Sequence, residues 1–297
     1  MRLRRLTAIL LVVAAAAVGA ARAQARVPAA PYGGLGAWIS LYTPEWRNPS
    51  GAVGALAARG ISTIYLETGR STSPAAFERP APTAAFLDAA HAAGLAVVAW
   101  YYPTFVDWRR DVARALATAR FRTVTGQSFD GVAVDIEDPA VRNVSTRNAR
   151  LLAFTRAITS SLPDEPWGAI TYPPIGLDLN PRAWPRFPWV HVASSYSAIL
   201  PMAYWRNRTR TAAGAAWYAA GNLAALRVLT GRADLAVHLI GSGGTTAAEA
   251  LAFATASVNG GASGFSLYPA SRIDTPSWTA LQDVQTEQTT VGIPQTP

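Results

Sequence analysis

The 297-residue chain has no cysteine and no lysine. The missing thiol excludes a disulfide framework, a cysteine nucleophile, a cysteine-ligated metal and a thiol-linked lipid anchor. All 26 basic residues are therefore arginine. In a chain this rich in Ala and Gly, that reads as the codon bias of a GC-rich genome rather than a nucleic-acid surface. Four arginines (2, 4, 5 and 22) fall in the N-terminal segment, which leaves 22 against 18 acids and a net charge of +4 beyond it. No nucleic-acid partner is implied by that balance. The cluster Arg206, Arg208, Arg210 reads as a solvated loop. Histidine is scarce too: His91, His191 and His238 lie far apart with no metal-ligand spacing, and no metal or cofactor is expected. Phosphate-cradling motifs are absent. The first strand runs into SLYTPEW rather than a Gly-rich turn, and Gly241-Ser242-Gly243-Gly244 lacks the Lys of a P-loop.

Long apolar runs are confined to the N-terminus, MRLRRLTAILLVVAAAAVGAARAQA. Arg2, Arg4 and Arg5 precede a short apolar stretch, and Ala21-Arg22-Ala23 offers a small-residue cleavage site. Residues 1–23 read as an export signal, by the general secretory or the twin-arginine route. The remaining chain is expected to be secreted or at the exterior of the cell envelope, monomeric, and without a membrane span. Its domain is expected over 30–283, followed by a disordered polar tail over 284–297.

Eight short apolar runs recur along the chain: 36–42, 61–68, 95–102, 129–137, 167–172, 198–204, 235–241 and 261–268. Each is strand-like in length and rich in Val, Ile and aromatics. The spacers are helical in pattern. Phe86, Leu87 and Ala90 share a side before Gly94; Val112, Leu116 and Ala119 form a stripe; Leu151, Leu152, Phe154 and Ile158 recur before Pro163. Eight alternating units in one chain of this length predict a single α/β (β/α)8 TIM barrel. A doubly wound sheet is the alternative.

The fourth run carries the chemistry. In FDGVAVDIED, alternation puts Gly131, Ala133, Asp135 and Glu137 on one face and Val132, Val134 and Ile136 on the other. The branched residues suit the helix-covered exterior, so the two acids point into the barrel mouth, where such enzymes keep their active sites. Their Cα atoms lie about 6.6 Å apart at this spacing. Two carboxylates that close repel, so one holds a proton, as a general acid requires. The spacing alone leaves open which of the two holds it. Asp138, before Pro139, reads as a helix cap.

This run resembles the fourth-strand signature D-G-x-D-x-D-x-E of family 18 glycoside hydrolases, the chitinase family, at Asp130, Gly131, Asp135 and Glu137. Met202-Ala203-Tyr204 is similar to that family's M-x-Y, and GASGFSLY to the start of its eighth strand. The resemblance implies Glu137 as proton donor, with Asp135 and Tyr204 orienting a substrate N-acetyl group whose oxygen is the nucleophile. Three positions depart from the pattern. Ala133 replaces the middle Asp, Trp205 follows the M-x-Y in place of Asp, and Tyr268 stands where the family has Trp. Family 25 lysozymes also carry an Asp-x-Glu pair at a strand end, which keeps peptidoglycan open as a substrate.

Other strand-end residues are candidates for the same mouth: Glu67, as a second carboxylate or as the partner of Arg70; His238; and the aromatics Trp100, Tyr102, Tyr172, Trp205 and Tyr268, with Met202. Aromatic faces stack on sugar rings. PPIGLDLNPRAWPRFPW, after the fifth run, reads as a rigid loop walling the cleft. Two functions remain open: a secreted hydrolase acting on a polysaccharide or oligosaccharide, such as an amino-sugar polymer, and a catalytically silent barrel that binds glycans.

Overall fold

The computed structural model describes residues 30–180 and 182–290. The expected export signal lies outside the described residues, as does the tail beyond 290. All eight expected strands are present: β1 Gly34–Ile39, β2 Thr63–Arg70, β3 Ala96–Tyr102, β4 Gly131–Ile136, β5 Trp167–Thr171, β6 Ala198–Pro201, β7 His238–Ser242 and β8 Gly264–Tyr268. They form one parallel sheet in the order β6-β5-β4-β3-β2-β1-β8-β7. Isolated parallel bridges Ile199–Val237 and Met202–Ile240 bring its two edges together. The result is a (β/α)8 barrel, because a doubly wound sheet does not return on itself.

The connecting helices are α1 Pro49–Ala57, α2 Pro80–Ala92, α3 Trp108–Ala119, α4 Val144–Ser161, α5 Pro174–Leu179, α6 Trp189–Ser195, α7 Ala212–Thr230, α8 Ala247–Asn259 and α9 Thr275–Thr290. Side-chain oxygens close several N-termini, including Asp107 on α3 and Asn143 on α4. Alternation along the strands divides the apolar residues into two cores. Val132, Val134 and Ile136 join the larger cluster between sheet and helices. Trp38, Tyr65, Val98, Trp100, Ala133, Ile170 and Leu200 fill the barrel itself.

The segment after β5 differs from the rigid loop expected there. It forms α5 and α6, and its aromatic residues turn into the protein: Trp184 and Phe187 are buried. The Trp184 indole donates to Asn148 Oδ1 on α4 at 2.7 Å, with Arg147 over its ring. The tail boundary also moves. Trp278, Leu281 and Val284 recur at helical spacing and are buried, so α9 runs past the expected boundary at 284.

Below the mouth, Tyr32 fills the bottom of the barrel. Its hydroxyl donates to the carbonyls of Val132 and Pro166. This fit requires Gly168, because a Cβ there would lie 2.6 Å from the Tyr32 ring. Gly168→Val is expected to destabilise the protein by about 1–3 kcal/mol through overpacking. A urea unfolding midpoint equal to that of the wild type would refute this.

Candidate active site

The carboxyl ends of the strands enclose a cavity of about 240 Å³, with Asp135 and Glu137 on its surface. Trp38, Arg70, Trp100, Tyr102, Tyr204 and Tyr268 contribute most of the remaining wall, together with Ile170, Met202 and Ile240. That volume is small for a ligand pocket. It suits one sugar ring of a longer chain.

The aromatic walls are rigid because they pack on one another. Trp38 stacks on Tyr65 at 4.1 Å between centroids and meets Trp100 edge-on at 5.5 Å. Tyr268 is edge-on to both tryptophans and stacked beside Tyr204. Such pairs restrict side chains that already have few rotatable bonds.

Asp135 is buried, 3% exposed, and half of its carboxylate is satisfied: Oδ2 accepts the Trp100 indole N–H at 3.0 Å. Its Oδ1 is buried and has no partner among the described residues. Burial pushes the Asp135 carboxyl well above the usual range, and the charge of Glu137 adds to that, while the Trp100 bond opposes it. Half-buried Glu137 is also raised, by burial and by Asp138, against the opposing charge of Arg70. The pair therefore retains a proton above the pH at which free carboxylates lose theirs.

These shifts have a definite sign in stability. A carboxyl with a raised folded-state pKa binds more protons folded than unfolded, so stability falls as pH rises above about 4. Asp135→Asn removes the share of that dependence contributed by Asp135, the more deeply buried of the two. It should raise the melting temperature at pH 8 and leave it little changed at pH 4. A variant that melts below the wild type at both pH values would overturn this.

The other candidates divide by position. Trp100, Tyr102, Met202, Tyr204 and Tyr268 line the cavity, as expected of strand-end residues facing inward. Among the described residues, the Tyr204 hydroxyl makes no hydrogen bond to protein, and burial raises its pKa, with Asp135 and Glu137 adding to the shift. Tyr172 does not line the cavity. It stands behind Glu137, its hydroxyl donating to the Glu137 carbonyl at 2.9 Å. Trp205 faces away. Tyr204 points inward, so the next residue points outward, and Trp205 is fully buried against Phe253 with its indole N–H on Glu249.

Glu67 is fully buried below the cavity wall rather than on it. One oxygen accepts the Leu41 amide at 2.9 Å and the other the Arg70 Nε–H, so the ion-pair reading holds for this residue. His238 lies deeper still, fully buried beneath the floor. Its Nδ1 faces the Tyr32 carbonyl at 3.0 Å, which can only accept, so Nδ1 carries the hydrogen. Nε2 then accepts from Ser266 Oγ at 2.9 Å, and Ser266 accepts the Trp38 indole N–H at 2.8 Å. Burial lowers the His238 pKa to about 4 and keeps the ring neutral. Asp138 caps no helix. It accepts from the Ala140 amide two residues on and from the Tyr102 hydroxyl, while Asn143 caps α4. Ala133 is fully buried beneath Asp135.

Trp38 and Arg70 contribute to the wall, although sequence reasoning did not assign them to the site. Trp38 sits on the inward parity of β1, which is the signal that could have found it, whereas Arg70 has the opposite parity to Thr63, Tyr65 and Glu67 and reaches the mouth through the register shift between Glu67 and Gly69. Among the described residues, no group of His, Asp or Glu could hold a metal ion, and no helix is long and apolar enough to cross a membrane.

No protein-family profile matches the chain, and no curated protein sequence does. Solved structures do match it in fold. The endo-1,4-beta-mannanase from Rhizomucor miehei superposes with a TM-score of 0.65 at 10% identity, over 87% of this chain and 95% of that one. The chitinase from Chromobacterium violaceum ATCC 12472 gives 0.60 at 12% identity, over 85% and 98%. The PgaB glycoside hydrolase domain from Bordetella bronchiseptica gives 0.56 at 14%, over 85% and 98%. The chain shares the (β/α)8 barrel fold of these structures. That likeness concerns the backbone; any chemistry has to be argued from the cavity.

Proposed function

We propose that the protein hydrolyses glycosidic bonds of a polysaccharide, with Glu137 as general acid and Asp135 as its assisting carboxylate. One observation carries this reading: two carboxyl groups, both pushed above the usual range by burial, share an aromatic-walled cavity at the carboxyl end of a barrel. A general acid must be protonated at its working pH, and burial provides that. Aromatic faces at the same spot suit the C–H faces of a sugar ring.

The unpartnered Asp135 Oδ1 and the free Tyr204 hydroxyl suit an amide-bearing sugar. An amide N–H donated to Asp135 favours its ionised form. The shared proton then rests on Glu137, beside the leaving oxygen. In that arrangement the substrate's own acetamido oxygen attacks the anomeric carbon, and no second enzyme carboxylate is required. Chitin-like and peptidoglycan-like polymers are the substrates this reading names. An exterior location, reached through the export signal at 1–23, and action as a monomer complete the proposal. N-terminal sequencing of the mature protein and its sedimentation test those two points.

Ala133 favours the second reading, a barrel that binds glycans without cleaving them. On β4, the inward position beneath Asp135 carries only this buried methyl group. One experiment separates the readings. The purified chain is incubated with soluble and insoluble glycans, and both retention and new reducing ends are measured. Reducing ends support hydrolysis; retention without them supports binding; neither result on any glycan sinks both.

A further inference from the structure

The cavity that holds the acid pair also holds one guanidinium, that of Arg70. Its placement is fixed from three sides. Nε donates to Glu67, which is itself fully buried and held by the Leu41 amide. The Arg70 amide donates to Ser73 Oγ at 2.9 Å, and its carbonyl accepts from Arg114 at 2.7 Å. The guanidinium carbon lies 5.2 Å from the Tyr42 ring centroid and 5.6 Å from that of Tyr102. Among the described residues, neither η nitrogen makes a hydrogen bond or ion pair, and the side chain is 32% exposed. A planar donor fork is thus held rigid with its outer edge unused.

A general acid gains nothing from this charge, since a nearby cation drives the carboxyl pair towards losing its proton. A neutral sugar has no group that needs it. The cationic character also continues outward. Tyr42, under Arg70, lines a neighbouring hollow of about 460 Å³ with Trp46, Arg47 and Arg79, and no acid lines that hollow. Arg47 and Arg79 are both exposed.

We propose that the substrate is an acidic glycan, whose carboxylate is received by the η edge of Arg70 and whose adjoining chain passes along Arg47 and Arg79. This inference rests on the glycan reading of the same cavity and names the chemical class of the sugar. The fork geometry of a guanidinium matches a carboxylate through two parallel hydrogen bonds. The exposed arginines add a salt-screened attraction along the chain.

The test is a binding panel read by tryptophan fluorescence at low salt. The probes are oligogalacturonate, oligoalginate, hyaluronan oligosaccharides and muramic-acid-containing glycan strands, each beside its carboxyl-reduced neutral twin, with chitohexaose and mannohexaose. At least one acidic probe should bind about tenfold or more tighter than its twin, and the preference should shrink as salt is raised. In Arg70→Gln most of that preference should be lost. That substitution leaves Glu67 buried without its partner, so Glu67→Gln/Arg70→Gln, which removes both charges, is measured alongside. Arg47→Gln/Arg79→Gln touches only exposed side chains. It should lose part of the preference and of the salt dependence, and it carries the test if both Arg70 variants fail to fold. Twins that bind as tightly as their acidic forms, or neutral probes alone binding, overturn the acidic-glycan inference and leave the hydrolase reading standing. An equal loss for acid and twin in the doubly neutral variant assigns Arg70 a structural role and overturns it too. No binding by any probe overturns both.

Discussion

Glu137→Gln is expected to lower the rate of glycan hydrolysis by about two to four orders of magnitude while leaving glycan affinity in place. The amide keeps the shape of the carboxyl group, so the Tyr172 bond to the backbone carbonyl of residue 137 persists. What disappears is the transferable proton. The variant also removes one of the two interacting charges, so Asp135 should titrate at a lower pH than in the wild type, where burial and Glu137 both raise it. A pH profile with one ionisation fewer is the accompanying signature. Equal rates in wild type and variant would remove Glu137 from the chemistry. Binding by both with hydrolysis by neither would place the protein among the silent glycan binders.

His238→Ala is expected to act on stability instead, lowering it by about 2–5 kcal/mol. The imidazole joins the Tyr32 carbonyl to Ser266, and through Ser266 to the Trp38 indole in the cavity wall. Its loss leaves a cavity and strands a buried carbonyl. For a domain of this size, the melting temperature should drop by roughly 4–20 °C, at about 2–4 °C per kcal/mol. The pH dependence has the opposite sign to that of the acid pair. A folded pKa of about 4 lies below the ordinary histidine value, so the stability this ring contributes is present above about pH 6.5 and declines as pH falls towards 4. Wild type and variant should therefore differ more at pH 7 than at pH 4. Unchanged melting with a collapsed kcat would instead make His238 part of the reaction.

How far the sequence revealed the site depends on what each inference rested on. Alternation in β4 correctly separated Ala133, Asp135 and Glu137 from Val132, Val134 and Ile136, because a strand leaves side chains only two directions. The eight-strand barrel was legible for a similar reason: short apolar runs alternating with helical stripes admit few arrangements. Glu67 and His238 share the correct parity yet lie below the cavity. Alternation gives direction and says nothing about depth. Trp205 was misassigned because an aromatic beside a strand end was counted without its parity. The Pro-rich segment after β5 carried a loop-like composition, but the apolar bulk of Trp184 and Phe187 decided its fate. Arg70 was read only as a partner for Glu67, since a one-dimensional pattern shows the ion pair and hides the unused edge of the guanidinium.

The seam between β6 and β7 is the weakest join of the barrel. Every other neighbouring strand pair is joined by a ladder of at least four residue pairs, whereas this one is held by two isolated bridges, one of them through Met202 and Ile240 in the cavity wall. Trp38, Trp100 and Asp135 stand on strands paired on both sides across the ring. Fewer backbone hydrogen bonds close that side of the barrel than any other, so local opening costs least there. Amide exchange is expected to be fastest along that join and slower in β1, β3 and β4, which carry Trp38, Trp100 and Asp135.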